Sequence, residues 1–205
     1  MSIQVPKRRT RWQEKREASL EALLRSAIKC FHDRGYAATR VEDIVEGAGY
    51  SSGAFYFHFQ NKADCYWQVL EYREQRRADW PVDILEGLDP KTTSIEEVLQ
   101  RVFAHFAATD DGYGAWVLVM VDFFQQHRND KDVDSSLADR YRRWHAGIAK
   151  FVAGLQAGGW IAAERDPEVV AAQLFAFTEG INVHSRLYGL DRRMLIDGLV
   201  RLLRD

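Results

Sequence analysis

Cysteine is scarce in this chain: Cys30 and Cys65 are the only two among 205 residues. Two thiols without a short spacing build neither a disulfide framework nor a zinc site. They read as buried, unreactive thiols of a reducing cytoplasm, with a redox switch as the alternative. No apolar run approaches the roughly 20 residues of a membrane span. The opening MSIQVPKRRTRW carries charge with no apolar segment behind it, so no secretory signal is expected and the cytoplasm is the expected location. No alternating pattern marks a strand, and there is neither an internal repeat nor a low-complexity tract. Catalytic signatures are missing too: there is no Gly-x-Ser-x-Gly, no phosphate-binding glycine loop and no His-Glu-x-x-His. The six histidines, at 32, 58, 105, 127, 145 and 184, form no pair at three- or four-residue spacing. No enzyme, metal site or cofactor is therefore expected, which leaves binding.

What is present is ordinary for a globular protein: 46% hydrophobic and 28% charged residues, enough chain for one or two domains with a real core. The net charge of −2 conceals an asymmetry. Up to Lys62 there are 11 Lys and Arg against 7 Asp and Glu, a net +4, and beyond it 17 against 23, a net −6. A basic head on an acidic body suits a molecule that offers one end to a polyanion, although four charges also fall within chance.

The chain is organised around Thr39 to Lys62, TRVEDIVEGAGYSSGAFYFHFQNK. Thr39 with Glu42 three residues later has the pattern of a capping box, predicting a helix from Arg40. Val41, Ile44, Val45 and Ala48 form its apolar face, and Gly49 permits the left-handed residue that stops it. Ser51 can cap a second short helix, Ser52 to Phe59, with Phe55 and Phe59 on one side. Asn61 is the next cap. Two helices in about twenty residues around a glycine turn have the proportions of a helix-turn-helix. Ser52 and Gly53 are small enough for close approach, while Tyr56, His58 and Lys62 bring a hydroxyl, an imidazole and an ammonium suited to phosphates. Spacing alone equally allows a helical hairpin whose polar residues face water.

These residues also carry a resemblance. The run from Leu20 to about Leu70 resembles the DNA-binding domain of the TetR family of bacterial transcriptional repressors. The match lies at Ala27, Phe31, Gly35-Tyr36, Thr39, Val41, Ile44, Ala48-Gly49, Ser51, Gly53, Tyr56, His58-Phe59 and Lys62. The string Gly-Ala-Phe-Tyr-Phe-His-Phe followed by Asn-Lys is its most specific part. The resemblance implies an all-α protein: a three-helix helix-turn-helix head over residues 1–62, a connecting helix over 63–81 that moves when ligand binds, and a helical-bundle ligand-binding and dimerisation body over 82–205. DNA-binding residues are then expected at Thr39, Ser51, Ser52, Gly53, Tyr56, His58 and Lys62. Ser52, Gly53 and Tyr56 are nearest the bases, and positions matching Tyr56 and Lys62 commonly hold phosphates in that family. Lys7, Arg8, Arg9 and Arg11 form a basic arm, a solvated tail in the free protein that could cover phosphates or enter the minor groove.

Helical periodicity predicts the remaining elements. A first helix spans about Arg11 to Arg34 with Leu20, Leu24, Ala27, Ile28 and Phe31 as its stripe, and a fourth spans Lys62 to about Trp80, halted by Pro81. A capping box at Ser94 starts a helix to near Thr109, followed by a break over Asp110 to Gly114. Ala115 to His127 is apolar around most of its circumference and predicts a central buried helix. Asp132 to Ala157, then Pro167 to Tyr188 capped by Asp166, then Asp191 to Leu203 complete the body. Leu174, Phe175, Phe177, Thr178, Ile181, Leu187, Leu195, Leu199 and Leu202 offer apolar area for a homodimer through the last two helices (about 167–204), though some of them complete the monomer core. The resemblance implies a four-helix interface from both copies and a pocket for a small-molecule effector. Trp116, Met120, Phe123, Trp144 and Phe177 are candidate walls, with Phe124 beside them and Gln125, Asn182 and His184 to orient a polar group; such aromatic stripes are core far more often than ligand site. An apolar or aromatic effector fits these walls. The expected function is a homodimeric repressor that binds a palindromic double-stranded operator and is released by its effector. The rival is a helical small-molecule-binding or scaffold protein without operator binding. Salt dependence of DNA binding separates the two.

Overall fold

A computed structural model describes residues 10–76, 80–108, 116–191 and 193–204. Every regular element among them is α-helical: α1 (Arg11–Arg34), α2 (Val41–Ala48), α3 (Ser52–His58), α4 (Lys62–Gln75), α5 (Trp80–Leu85), α6 (Ile95–Ala108), α7 (Trp116–Gln126), α8 (Lys131–Gly158), α9 (Pro167–Tyr188) and α10 (Arg193–Arg204). None of the described helices is long and apolar enough to cross a membrane. The chain divides into two compact units between Glu74 and Gln75.

In the N-terminal unit, α1 begins at a reciprocal cap. The Gln13 N–H donates to Thr10 Oγ1 at 3.2 Å, and the Thr10 N–H donates to Gln13 Oε1 at 2.8 Å. It ends where Gly35 takes φ +83° and its N–H reaches Phe31 O. Leu23, Ala27 and Phe31 of α1, Ile44 of α2, Phe55 and Phe59, and Cys65, Tyr66 and Val69 of α4 are almost wholly buried. Each of the larger side chains contributes about 1.5–3 kcal/mol on burial. The rings of Phe31, Tyr36 and Tyr66 meet pairwise at 5.4–5.8 Å, which ties α4 to α1. Burial has closed the Cys65 thiol: desolvation, its main perturbation, raises the pKa above the usual thiol range. Almost all of α4 thus lies within this unit. It also stops earlier than expected, at Gln75, and Pro81 lies in the first turn of α5 instead of halting α4. Proline is tolerated there because a first-turn N–H has no intrahelical partner to lose.

The C-terminal unit is a bundle. Ile84, Val98, Leu99, Phe151, Val152, Leu155, Val170, Leu174, Leu195, Leu199 and Leu203 form its core. The Ser94 box is present: the Ser94 N–H donates to Glu97 Oε2 at 2.7 Å, and the Glu97 N–H donates to Ser94 Oγ at 3.2 Å. Asp130 caps α8, and Asp166 caps α9 ahead of Pro167. Helices α8 and α9 form the broadest helix pair, with Tyr141 edge-on to Phe175 at 5.5 Å and His145 Nδ1 3.0 Å from a Glu168 carboxylate oxygen. Leu85 sits so close to α8 that a Cβ at Gly154 would lie 2.7 Å from its Cδ1. The break expected over Asp110 to Gly114 lies outside the described residues.

One expectation for the body is corrected. Helix α7 is not buried all round: Trp116, Val119, Met120 and Phe123 are buried, while Val121 and Phe124 are exposed. Its apolar residues encircle the helix, but its packing within the bundle covers one side. Of the residues offered for pairing, Leu174, Thr178, Leu195 and Leu199 are buried within the single chain and complete its core, while Leu187 is exposed. The large apolar side chains left open on the last two helices are Val169, Leu187, Tyr188 and Met194.

Candidate nucleic-acid interface

Helix α2 ends as its glycine requires. Gly49 takes φ +70°, and the N–H groups of Gly49 and Tyr50 reach Glu46 O at 3.1 Å and Val45 O at 2.9 Å. Ser51 then caps α3, its Oγ accepting the Ala54 N–H at 3.3 Å. This holds α3 by its inner edge, where Phe55 and Phe59 are buried with ring centroids 4.9 Å apart. Phe59 itself is extended, so α3 is one residue shorter than expected. The outer edge of α3 carries Ser52, Gly53, Tyr56 and Phe57, all exposed, and Tyr56 is 59% accessible. A Cβ at Gly53 would meet only Ser51 Oγ, at an ordinary 3.6 Å. Nothing inside the fold demands glycine there, although glycine costs about 1 kcal/mol in a helix. The bare backbone suits close approach by something outside the chain.

Three of the expected DNA contacts sit differently. Thr39 is 0% exposed, and its hydroxyl lies 2.7 Å from Gly35 O and 3.1 Å from Cys30 O, so its side chain closes the end of α1 and is not available to phosphate. Nor does it cap α2: the cap is Arg40, whose N–H donates to Asp43 Oδ2 at 2.9 Å. Asp43 is held below the usual carboxylate range, first by that N–H and then by Arg34, whose guanidinium lies 2.6 Å away. Lys62 turns inward. Its ammonium donates to Tyr36 O at 2.9 Å and Thr39 O at 2.8 Å, is 3.4 Å from Ala37 O, and stands 4.4 Å above the Tyr36 ring. It straps the segment between α1 and α2 to the start of α4. His58 is half-buried with Nε2 2.8 Å from Ser19 Oγ; burial, then the nearby Arg16 charge, lowers its pKa. It acts as a pin between α3 and α1.

Two surface features escaped sequence reasoning. Arg40 is exposed at the start of α2, its Nε 3.7 Å from Asp43; arginine has no side-chain acceptor, so only its N–H bond to Asp43 caps the helix start. Phe57 is 60% exposed, and Arg16 lies beside it. No periodicity rule predicts an exposed aromatic.

In the body, Trp116, Met120 and Phe123 share the buried face of α7, which packs against α9. Trp144 is half-buried and its ring is tilted against that of Tyr141 with centroids 5.4 Å apart. Phe177 does not join the α7 face: its ring lies where a Cβ on Gly198 of α10 would be. His184 is exposed, whereas Asn182 is buried at 4% exposure. Asn182 Nδ2 and Ser185 Oγ, three residues apart on α9, have no hydrogen-bond partner among the described residues.

Comparison with known proteins settles the class. Residues 23–69 match the family model described as bacterial regulatory proteins, tetR family, and residues 95–204 match the BetI-type transcriptional repressor C-terminal model. The chain belongs to the TetR family. It is a TetR-type transcriptional regulator, with a DNA-binding helix-turn-helix in its N-terminal unit. It is 26% identical over 184 residues to the uncharacterized regulator YwcC of Bacillus subtilis, covering 89% of this chain and 82% of that protein. It is 25% identical over 171 residues to the transcriptional repressor ComR of Escherichia coli, covering 81% and 79%. Among solved structures, a putative TetR-family regulator from Rhodococcus sp. shares the fold with a TM-score of 0.68 at 20% identity, over 92% of this chain and 100% of that one. In this fold α3 is the second helix of the helix-turn-helix.

Proposed function

We propose that this regulator represses transcription in the cytoplasm, binding a palindromic operator as a homodimer and leaving it when a small apolar or aromatic ligand enters the body. The observation that carries the DNA half is the outer edge of α3: small residues at Ser52 and Gly53 beside an exposed Tyr56. One such helix reads only a few base pairs, so two-fold pairing supplies the second half-site. The apolar surface of Val169, Leu187, Tyr188 and Met194 on α9 and α10 supports pairing there. The C-terminal match to a repressor model and the E. coli relative's name support repression. For the effector, the buried α7 face offers apolar and aromatic walls. On α9, the side-chain amide of Asn182 is a buried donor without a partner among the described residues, a state that costs about 1–3 kcal/mol until something accepts from it. Ligand binding would shift the population toward conformers that misfit the operator.

The test is binding to duplex DNA from immediately upstream of the regulator's own coding region, over a salt series. Wild-type protein is expected to bind that DNA in preference to an unrelated duplex, with a steep salt slope. Tyr56→Phe, which removes one hydroxyl, should weaken binding about tenfold. Thr39→Val should leave the salt slope unchanged. Binding that is absent, or equal on all DNA and indifferent to Tyr56→Phe, would refute the reading and favour a ligand-binding or scaffold protein.

A further inference from the structure

The other arginines and lysines with partners in the first two helices and at the α4 start are engaged within the chain. Arg25 pairs with Glu21 at 2.8 Å, Lys29 with Asp33 at 2.6 Å and Arg34 with Asp43 at 2.6 Å, while Lys62 donates to backbone carbonyls. Arg16 differs. No carboxylate among the described residues pairs with it; its guanidinium carbon instead stands 5.8 Å from the Trp12 ring and 5.8 Å from the Phe57 ring. Both rings are largely exposed, Trp12 at 61% and Phe57 at 60%. Two large aromatics left in water cost the fold apolar burial, and they hold a cation rather than a core contact. A cation–π approach of this length involves none of the guanidinium N–H donors in a hydrogen bond and leaves them available.

The position matters as much as the chemistry. Trp12 and Arg16 lie one turn apart at the start of α1. Phe57 follows Tyr56 on the recognition helix, and the Ser19–His58 contact at 2.8 Å pins the same part of α1 to the end of α3. Arg16 is therefore held at the flank of the surface that carries Ser52, Gly53 and Tyr56. A duplex that receives α3 in its major groove has phosphates on the groove's borders. A planar fork takes a phosphate with two parallel hydrogen bonds, and a side chain already ordered by two rings loses less freedom on doing so.

We propose that Arg16, which stands 5.8 Å from both the Trp12 and Phe57 rings, is a DNA-phosphate contact at the flank of the recognition helix, with the two aromatic rings as its positioning residues. The inference rests on the DNA-binding reading of α3. It assigns the flank a sequence-independent role: it adds affinity on any duplex and no discrimination among bases.

The experiment measures affinity of the full-length regulator for two duplexes, the upstream DNA and an unrelated sequence of equal length, between about 50 and 200 mM salt. Arg16→Ala, Arg16→Lys and Phe57→Leu are compared with wild type after circular dichroism has verified their folding. Arg16→Ala should weaken both duplexes by the same factor and flatten the log–log salt slope by about 0.9 per protomer, a loss across that range ~3.5-fold smaller per contact. Arg16→Lys should restore the slope but not the full affinity, because an ammonium lacks the fork. Phe57→Leu should weaken binding while keeping the slope, since the charge remains. A salt slope unchanged in a folded Arg16→Ala protein overturns the proposal while wild-type binding leaves the DNA reading intact. A loss confined to the upstream duplex also overturns it, since that would make Arg16 a base reader. A wild type that binds neither duplex removes both.

Discussion

Replacing Lys62 by methionine separates two roles that the sequence could not distinguish. Methionine keeps much of the apolar stem and deletes the ammonium, which donates to Tyr36 O at 2.9 Å and Thr39 O at 2.8 Å and stands over the Tyr36 ring at 4.4 Å. At about 1 kcal/mol net for each short bond in this half-exposed setting and about 0.5–1 kcal/mol for the cation–π contact, the strap stabilises the N-terminal unit by about 2–3 kcal/mol. Native-state hydrogen exchange reads that unit separately from the body. Amides in the interior of α2 should exchange roughly 30- to 140-fold faster in Lys62→Met if α2 opens with the unit as a whole. Peptides from α8 and α9 should be unaffected. DNA affinity should fall because the turn carrying α3 is less often in place, with the salt slope retained. The reverse pattern would refute the reasoning: exchange unchanged within about threefold, and a slope lowered by about one charge, would make Lys62 a phosphate ligand that turns outward on binding.

Gly47→Ala should destabilise the same unit by about 1–3 kcal/mol in chemical denaturation. The added Cβ would lie 2.5 Å from Ser26 Oγ, which donates to Ile44 O at 2.7 Å and locks α1 to α2; an increase in stability, as expected for alanine in an open helix, would show that Ser26 moves aside freely. His58 supplies a pH signature. Its folded pKa is lowered by burial and then by Arg16, so the unfolded chain takes up the proton first as pH falls. Its contribution is fully present above the unfolded value near 6.5 and is lost as pH drops from there toward the folded pKa. The urea midpoint of the wild-type N-terminal unit should therefore fall between about pH 7.5 and 5.5 by more than that of His58→Gln; equal falls would mean that His58 is not linked to folding.

The caps and glycine stops were legible because they are local. Gly49 and Gly35 take the positive-φ backbone that brings N–H groups onto the free carbonyls at the ends of α2 and α1, and Ser94, Asp166 and Pro167 stand where a helix start needs them. Exposure of the outer edge of α3 was legible as well, since Phe55 and Phe59 at four-residue spacing must turn one edge inward and leave Tyr56 on the other. The start of α2 was not. Thr39 and Arg40 each precede an acidic residue by three positions, and the choice was made by two carbonyls, of Cys30 and Gly35, that only the folded end of α1 brings within reach of Thr39.

Sequence by itself thus determined the class of the protein: helical period, caps and glycine turns are short-range consequences of backbone geometry, and the spacing from Thr39 to Lys62 carries the family's head. Tertiary structure decided what each polar head does. The Lys62 ammonium finds carbonyls more than twenty residues away and becomes a strap, His58 meets Ser19 and becomes a pin, and Arg16 meets Phe57 and is left as a held cation. The cause is the same in all three cases. A charged or hydrogen-bonding side chain takes its role from the partners within a few ångströms, and those partners come from distant parts of the chain that meet only when the core of Phe31, Ile44, Phe55 and Tyr66 has closed.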